Sequence, residues 1–540
     1  MLPNEHLISG LIPIVFRENF LLFSNNHRDI YKLNINNLKL KKENLLVFYH
    51  CNIFTLEQKQ QEYVIKTKIT FNKLNIVYRD DNLPEVDDFS LCYNIDAIEI
   101  ILYFNQSKPK IIKYIPYSKK TECMEHGIER LSTKTIDSKN NWRIDTECRT
   151  IAVNNDIVTF DIICCISDSG VIYTVETEHS TDLFFLAANK NTSLLLSEKN
   201  ERPINALYDE NHHYIYIILN KNGQQYIDIY DFNKHRTPHN PCISGQLFGT
   251  IQPIQKDNEI MFFITGSSEG AYLCDNKMNY KISLFPGNPD LKRLYYDDNK
   301  LKILSIISSA MPCLNIIFLH GGPESLEWDN PRLPLVINSF SKSNVNFHIL
   351  NYAGSKGFGR HYRESVNQNV LEGTITPIIN WINKASPHTS LALIGGSFGG
   401  TLALELLTNA YKIDTNILAL VLTNPLIDLP FHMRRVQEED GDLSFFIRKF
   451  SPSDISSITV KRYACTLIMS KVKTLLLLGR HDEILTIKPA ITLLKKLKGT
   501  QNVTAYIDDG THSSLQFSLI REKKMVNFLA EILQLCCAIN

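Results

Sequence analysis

The pattern of apolar and polar positions changes character near residue 290. Before it, short apolar runs rich in β-branched and aromatic residues alternate with polar turns. "HYIYIILNKNGQQYIDIYDF" (His213–Phe232) is two such runs around Asn222-Gly223, a dipeptide that favours a tight hairpin turn. "DIVTFDIICCISDSGVIYTVE" (Asp156–Glu176) and "EIMFFITGSSEGAYLCDN" (Glu259–Asn276) repeat the scheme. Apolar residues at helical spacing are scarce in this part. Recurring hairpins predict an all-β domain over residues 1–290, of propeller or sandwich type. At about 40–45 residues per four-stranded blade, the segment has room for six or seven propeller blades.

Beyond that point apolar strands alternate with helical stretches. The strands are "LNIIFLH" from Leu314, "NFHILNY" from Asn346, "LALIG" from Leu391, "ILALVLTNP" from Ile417, "KTLLLLG" from Lys473 and "NVTAYID" from Asn502. Gly400–Ala410 and Ile487–Leu497 read as helices between them. This alternation predicts an α/β domain over residues 291–540, with a mostly parallel sheet covered on both faces. In such sheets chemistry gathers at the carboxyl ends of the strands.

Composition narrows the partners. A chain of 540 residues exceeds what one core normally supports, which agrees with two domains. Lys+Arg and Asp+Glu are both 57, so no net field points to nucleic acid or an anionic membrane. The 12 cysteines lack zinc-like spacing, so neither a metal nor a cofactor is expected, and reduced thiols in a cytoplasmic protein are the simplest reading. The opening residues lack the basic start of a secretory signal, and no apolar run reaches the length of a membrane span.

"LALIGGSFGGTLALELL" (Leu391–Leu407) places Ser397 in a Gly-x-Ser-x-Gly turn between a strand and a helix. That setting holds a serine hydroxyl at the top of a sheet, although glycine and serine are common in any turn. A serine nucleophile needs a base, and the base needs an acid that orients it. Asp482 follows the leucine-rich strand in "LLLLGRHDEIL", and His512 follows the next strand in "YIDDGTHSSLQ". Taken singly, Asp482 could be a turn former and His512 a solvated loop residue. Together they keep the order Ser, Asp, His on successive strand ends, as α/β-hydrolases do. His481, Asp508 and Asp509 are worse placed. "FLHGGPES" closes an earlier strand with Gly321-Gly322. Backbone N–H groups of Gly322 and Phe398 could stabilise a developing oxyanion.

"HGGP", "NYAGSKGFG" (Asn351–Gly359), "GGSFGG", "NPLID" (Asn424–Asp428), "LLLLGRHD" and "GTHSSL" occur in that order. They resemble the prolyl oligopeptidase family of serine peptidases, most closely its acylaminoacyl-peptidase branch, over about residues 300–540. The resemblance implies a β-propeller ahead of the hydrolase domain and Ser397, Asp482 and His512 as the triad. It also implies Gly322 and Phe398 as oxyanion donors, and short N-acylated peptides as substrates. It is compatible with a homo-oligomer.

Two positions depart from the family. Ile484 stands where an arginine often holds a substrate carbonyl, and Ala353 replaces the arginine of "NYRGS". Acids usual early in the helix before the elbow are also missing from "VLEGTITPIINWI", apart from Glu372, which suggests that both ends of an ion pair were lost together. Competing activities are an oligopeptidase, a dipeptidyl-peptidase or an esterase on the same fold, or a binding protein without catalysis. The dipeptidyl-peptidase reading is weakened because residues 1–290 contain no Glu-Glu pair.

Overall fold

In the computed structural model, residues 290–539 are described except 299, 328–333, 386–388, 440 and 513–518. Ahead of them it describes the strands between residues 12 and 286 with a few connecting positions, and over residues 12–150 the strand backbone alone. The Asn222-Gly223 turn lies outside the described residues, but its flanking strands Tyr214–Lys221 and Gln224–Asp231 pair antiparallel, with Lys221 opposite Gln224.

The described strands of the N-terminal half form antiparallel groups in chain order. Four-stranded sheets cover residues 46–79, 86–124, 135–159 and 162–196, and a three-stranded sheet covers 202–231. Strands 250–286 and strands 12–43 share an eight-stranded sheet, joined where Ile12–Arg17 runs parallel to Thr250–Lys256. Side-chain alternation lets one strand serve two neighbours. Ile215, Ile217 and Leu219 pack with Ile172, Leu183 and Phe185 of the preceding sheet. Their sequence neighbours Tyr216 and Ile218 pack with Phe262 and Ile264 of the following one.

The C-terminal half is built on an eight-stranded sheet. Its strands are β1 (Lys292–Asp297), β2 (Leu301–Ile307), β3 (Leu314–Leu319), β4 (Val345–Tyr352), β5 (Ser390–Gly396), β6 (Ile417–Thr423), β7 (Lys473–Gly479) and β8 (Val503–Asp508). Their order is β1-β2-β4-β3-β5-β6-β7-β8. Six of the strands are parallel, while β1 and β2 form an antiparallel margin beside β4. The sequence pattern predicts the six parallel strands but not this margin. β1 is charged and half-exposed, so it resembles the strands of the N-terminal half.

Each parallel strand divides its apolar residues between two cores. Leu391, Leu393, Leu420, Leu422, Leu476 and Leu478 face one side. Ala392, Ile394, Ala419, Val421, Leu475 and Leu477 face the other. The first side is covered by α3 (Val370–Ala385), α4 (Phe398–Thr408), α8 (Val460–Ser470) and α9 (Lys488–Lys496). The second is covered by α1 (Pro334–Phe340) and the C-terminal α10 (Leu519–Ile539). The helices predicted at Gly400–Ala410 and Ile487–Leu497 correspond to α4 and α9.

The two halves meet at α2 (Arg360–Glu364). Its first backbone N–H groups donate to Thr177 O at 2.9 Å and Glu178 O at 2.8 Å. Arg363 Nη1 lies 2.5 Å from Glu176 Oε2, and both side chains are largely buried.

Ala353 is buried beside Tyr352, Val366 and Val370, while Glu372 is exposed. An arginine at position 353 would carry a cation into an apolar core, which costs several kcal/mol when no acid meets it. Ala353→Arg should therefore lower the melting temperature; an unchanged or higher value would show that an acid reaches the site.

Candidate active site

Ser397 occupies the turn between β5 and α4 with φ 52° and ψ −122°. A side-chain-bearing residue rarely adopts positive φ, and the surroundings hold it there. Ser397 N donates to Thr423 O at 2.9 Å, while Ser397 O accepts from Gly400 N at 3.0 Å and Leu426 N at 3.1 Å. The flanking glycines are required by close approach. A Cβ on Gly395 would lie 2.3 Å from Gly399 O, and one on Gly399 would lie 2.0 Å from Leu319 O. A serine at a helix start commonly caps it. Here the hydroxyl makes no capping bond, so it is not spent on the helix.

The glycine-pair loop reaches the same place from β3. A Cβ on Gly321 would lie 3.1 Å from Ser397 Cβ and 3.8 Å from its Oγ. Gly322 follows with φ 123°. His320 anchors this loop. Its Nε2 meets Ser355 Oγ at 2.8 Å, its ring stacks on Tyr352 at 4.2 Å, and Tyr352 Oη donates to His320 O at 2.7 Å. On the other flank the wholly buried Lys449 places Nζ 2.7 Å from Glu324 Oε1 and donates to Arg363 O at 2.8 Å. Burial pulls the Lys449 pKa down, and Glu324 opposes that pull. Phe398 is fully buried, with its ring 5.8 Å from that of Phe450.

Asp482 and His512 are both buried. Asp482 Oδ1 accepts from Ile484 N at 3.0 Å and Leu485 N at 2.8 Å, while Oδ2 meets His512 Nδ1 at 2.8 Å. The carboxylate is thus fixed by its own turn, and it fixes the imidazole through Nδ1. The sequence places both residues at strand ends, and the structure joins them.

Ser397 and His512 both touch the dipeptide Thr423-Asn424 at the end of β6. Thr423 O takes the Ser397 N–H, and Asn424 Nδ2 reaches His512 O at 3.5 Å. Asn424 Oδ1 also accepts from Gly479 N at 2.8 Å, and Asn424 N donates to Leu477 O at 3.0 Å. Among the described residues no hydrogen bond joins Ser397 Oγ to His512; such bonds often tighten only when substrate binds.

Three residues support the site through contacts across long separations that the sequence does not show: Asn424, which the sequence marks only as the first residue of "NPLID", Glu483 and Arg435. Glu483 Oε2 accepts from His512 N at 3.0 Å. Arg435, on α5 (Leu429–Glu438), donates to Glu483 O at 3.2 Å and also to Ile484 O. The Ile484 side chain is 44% exposed, so the position that lacks the family's arginine faces solvent beside a loop clamped by another one.

With the sheet order and the elbow in view, the class is plain: the C-terminal half is an α/β-hydrolase domain. Residues 315–446 match a family model described as alpha/beta hydrolase fold. Over nearly the whole chain the fold is similar to that of the Pyrococcus horikoshii acylaminoacyl peptidase. That likeness has 13% identity and a TM-score of 0.64, and covers 98% of this chain and 96% of the other. A puromycin-hydrolyzing peptidase of Mycobacterium tuberculosis is similar at 12% identity and a TM-score of 0.63, covering 98% and 96%. A prolyl endopeptidase structure is similar at 10% identity and a TM-score of 0.53, covering 96% and 80%. No curated protein sequence matches.

Asn424→Ala would leave the buried Gly479 N–H unpartnered and place alanine at φ 40°. A buried orphan donor alone costs about 1–3 kcal/mol. The variant should melt at a clearly lower temperature than wild type; an unchanged melting point would remove Asn424 from the framework of the site.

Proposed function

We propose that the chain is a serine exopeptidase, acting as acylaminoacyl-peptidases do, that removes an N-acylated residue from short blocked peptides. The observation that carries this reading is the buried Asp482–His512 bond of 2.8 Å, on the same strand-end platform as a serine in elbow geometry. In this mechanism His512 takes the Ser397 proton, and Ser397 attacks the carbonyl after the acylated residue. Asp482 fixes the tautomer and stabilises the imidazolium. The N–H groups of Gly322 and Phe398 hold the oxyanion. The amine leaves with a proton from His512, and water then releases the acyl group from the serine.

The N-terminal half takes the part of a propeller over residues 1–290, with the hydrolase domain over 291–540. Seven strand groups in chain order, the first sharing a sheet with the last, support seven blades. A closed ring of blades restricts entry to short peptides. The lack of a Glu-Glu pair in residues 1–290 favours a blocked terminus over a free amine.

The test compares N-acetyl-alanyl and free alanyl p-nitroanilides, with fluorophosphonate labelling of wild type and Ser397→Ala. Acetylated turnover that disappears in Ser397→Ala, falling at least about 10³-fold, supports the proposal. Cleavage of the unblocked substrate alone would keep the chemistry and replace the specificity. No turnover and no labelling would leave a binding protein on a hydrolase fold.

A further inference from the structure

Beside Asp482 lies a small cavity of about 20 Å³, whose walls include Asn424, His432, Leu478, Asp482, Leu485 and Thr486. A single water needs roughly 10–15 Å³ of such space and two to four polar partners. Two of the wall residues bring buried polar atoms that have no hydrogen-bond partner: His432 Nδ1 and Thr486 Oγ1. His432 is 6% exposed. Thr486 has φ 53°, a conformation that a β-branched residue adopts only when its surroundings impose it. Strain, unpartnered polar atoms and a water-sized space thus coincide next to the carboxylate that holds His512.

We propose that this cavity is a site for one ordered water, bound by His432 Nδ1 and Thr486 Oγ1 and donating to the Asp482 carboxylate. His432 and Thr486 are then positioning residues for the Asp482–His512 pair. Three polar partners satisfy the water. They also give Asp482 a hydrogen bond beyond those from Ile484 N, Leu485 N and His512 Nδ1, which restrains the carboxylate against rotation. Burial, reinforced by the Arg435 cation, lowers the His432 pKa to about 4. The imidazole is therefore neutral near pH 7, and its Nδ1 can pair with water as donor or acceptor.

The role in catalysis depends on the triad reading above, whereas the water site does not, so the two are tested separately. A crystal structure resolving solvent should show one water within about 3.2 Å of His432 Nδ1, Thr486 Oγ1 and an Asp482 oxygen. A dry cavity overturns the site. For the role, Thr486→Val removes the hydroxyl at nearly constant shape, and His432→Phe removes Nδ1. Each should lower kcat roughly tenfold, the rate equivalent of one hydrogen bond, with KM unchanged. The double variant should fall no further than either single one, because both act through the same water. His432→Asn, which returns a polar atom near Nδ1, should recover most of the loss. Unchanged rates, additive losses or a matching loss in KM overturn the positioning role even if the water is present. Activity persisting in Ser397→Ala would instead remove the triad reading and leave the crystallographic result to decide the water site.

Discussion

A parallel sheet buried on both faces can present polar chemistry only at its ends. That constraint organises the C-terminal half. The strands β5, β6 and β7 commit nearly every side chain to one core or the other. A polar side chain along the sheet needs buried partners of its own, as His348 on β4 has in Ser305 and Asn315, so groups that must meet a substrate belong at the strand ends. The register does the rest. Leu319 pairs with Gly395, Gly396 with Thr423 and Gly479 with Asp508, so the carboxyl ends of five strands finish close to one level. Loops leaving that level converge without needing to be long.

The convergence is then held by polar contacts that do no chemistry of their own. Asn424 ties the end of β6 to β7 and to the histidine loop. Arg521 is wholly buried and clamps Asp508 with two bonds of 2.7 and 2.8 Å, fixing the end of β8 just ahead of His512. Arg435 and Glu483 join the aspartate loop to its neighbours. Positive φ at Ser397, Asn424 and Thr486 clusters in these same loops. Strain of this kind costs on the order of 1–3 kcal/mol per residue and persists only where the surroundings over-determine it.

What could be read from the sequence was what depends on neighbours in the chain. The elbow around Ser397 is legible because strand, glycines and helix are contiguous, and the glycines are dictated by contacts within the turn or with the adjacent strand. Asp482 and His512 are legible because each directly follows an apolar strand. Arg435, His432 and Lys449 were not, since their partners lie tens to more than a hundred residues away and nothing local marks them, and "NPLID" marks Asn424 without showing its ties to Gly479 and His512. The margin strands β1 and β2 escaped for a different reason. A half-exposed antiparallel pair carries the same pattern whether it closes one domain or opens the next. Ala353 is a different case: the sequence reading takes it as one lost end of an ion pair, and the structure buries it in the apolar core.

The contact between the halves has a consequence for what counts as one unit of this protein. Glu176, in the β-rich half, pairs with Arg363. Arg363 O receives Lys449 Nζ, and Lys449 in turn pairs with Glu324 in the loop that carries Gly322. Two ion pairs, Glu176–Arg363 and Lys449–Glu324, are thus linked through the Arg363 backbone carbonyl, from the far half to the loop of glycines beside Ser397. An excised hydrolase domain would keep Ser397, Asp482 and His512 but would lose the buried Glu176 that pairs with Arg363. Part of the bracing of the Gly322 loop therefore comes from outside the hydrolase domain.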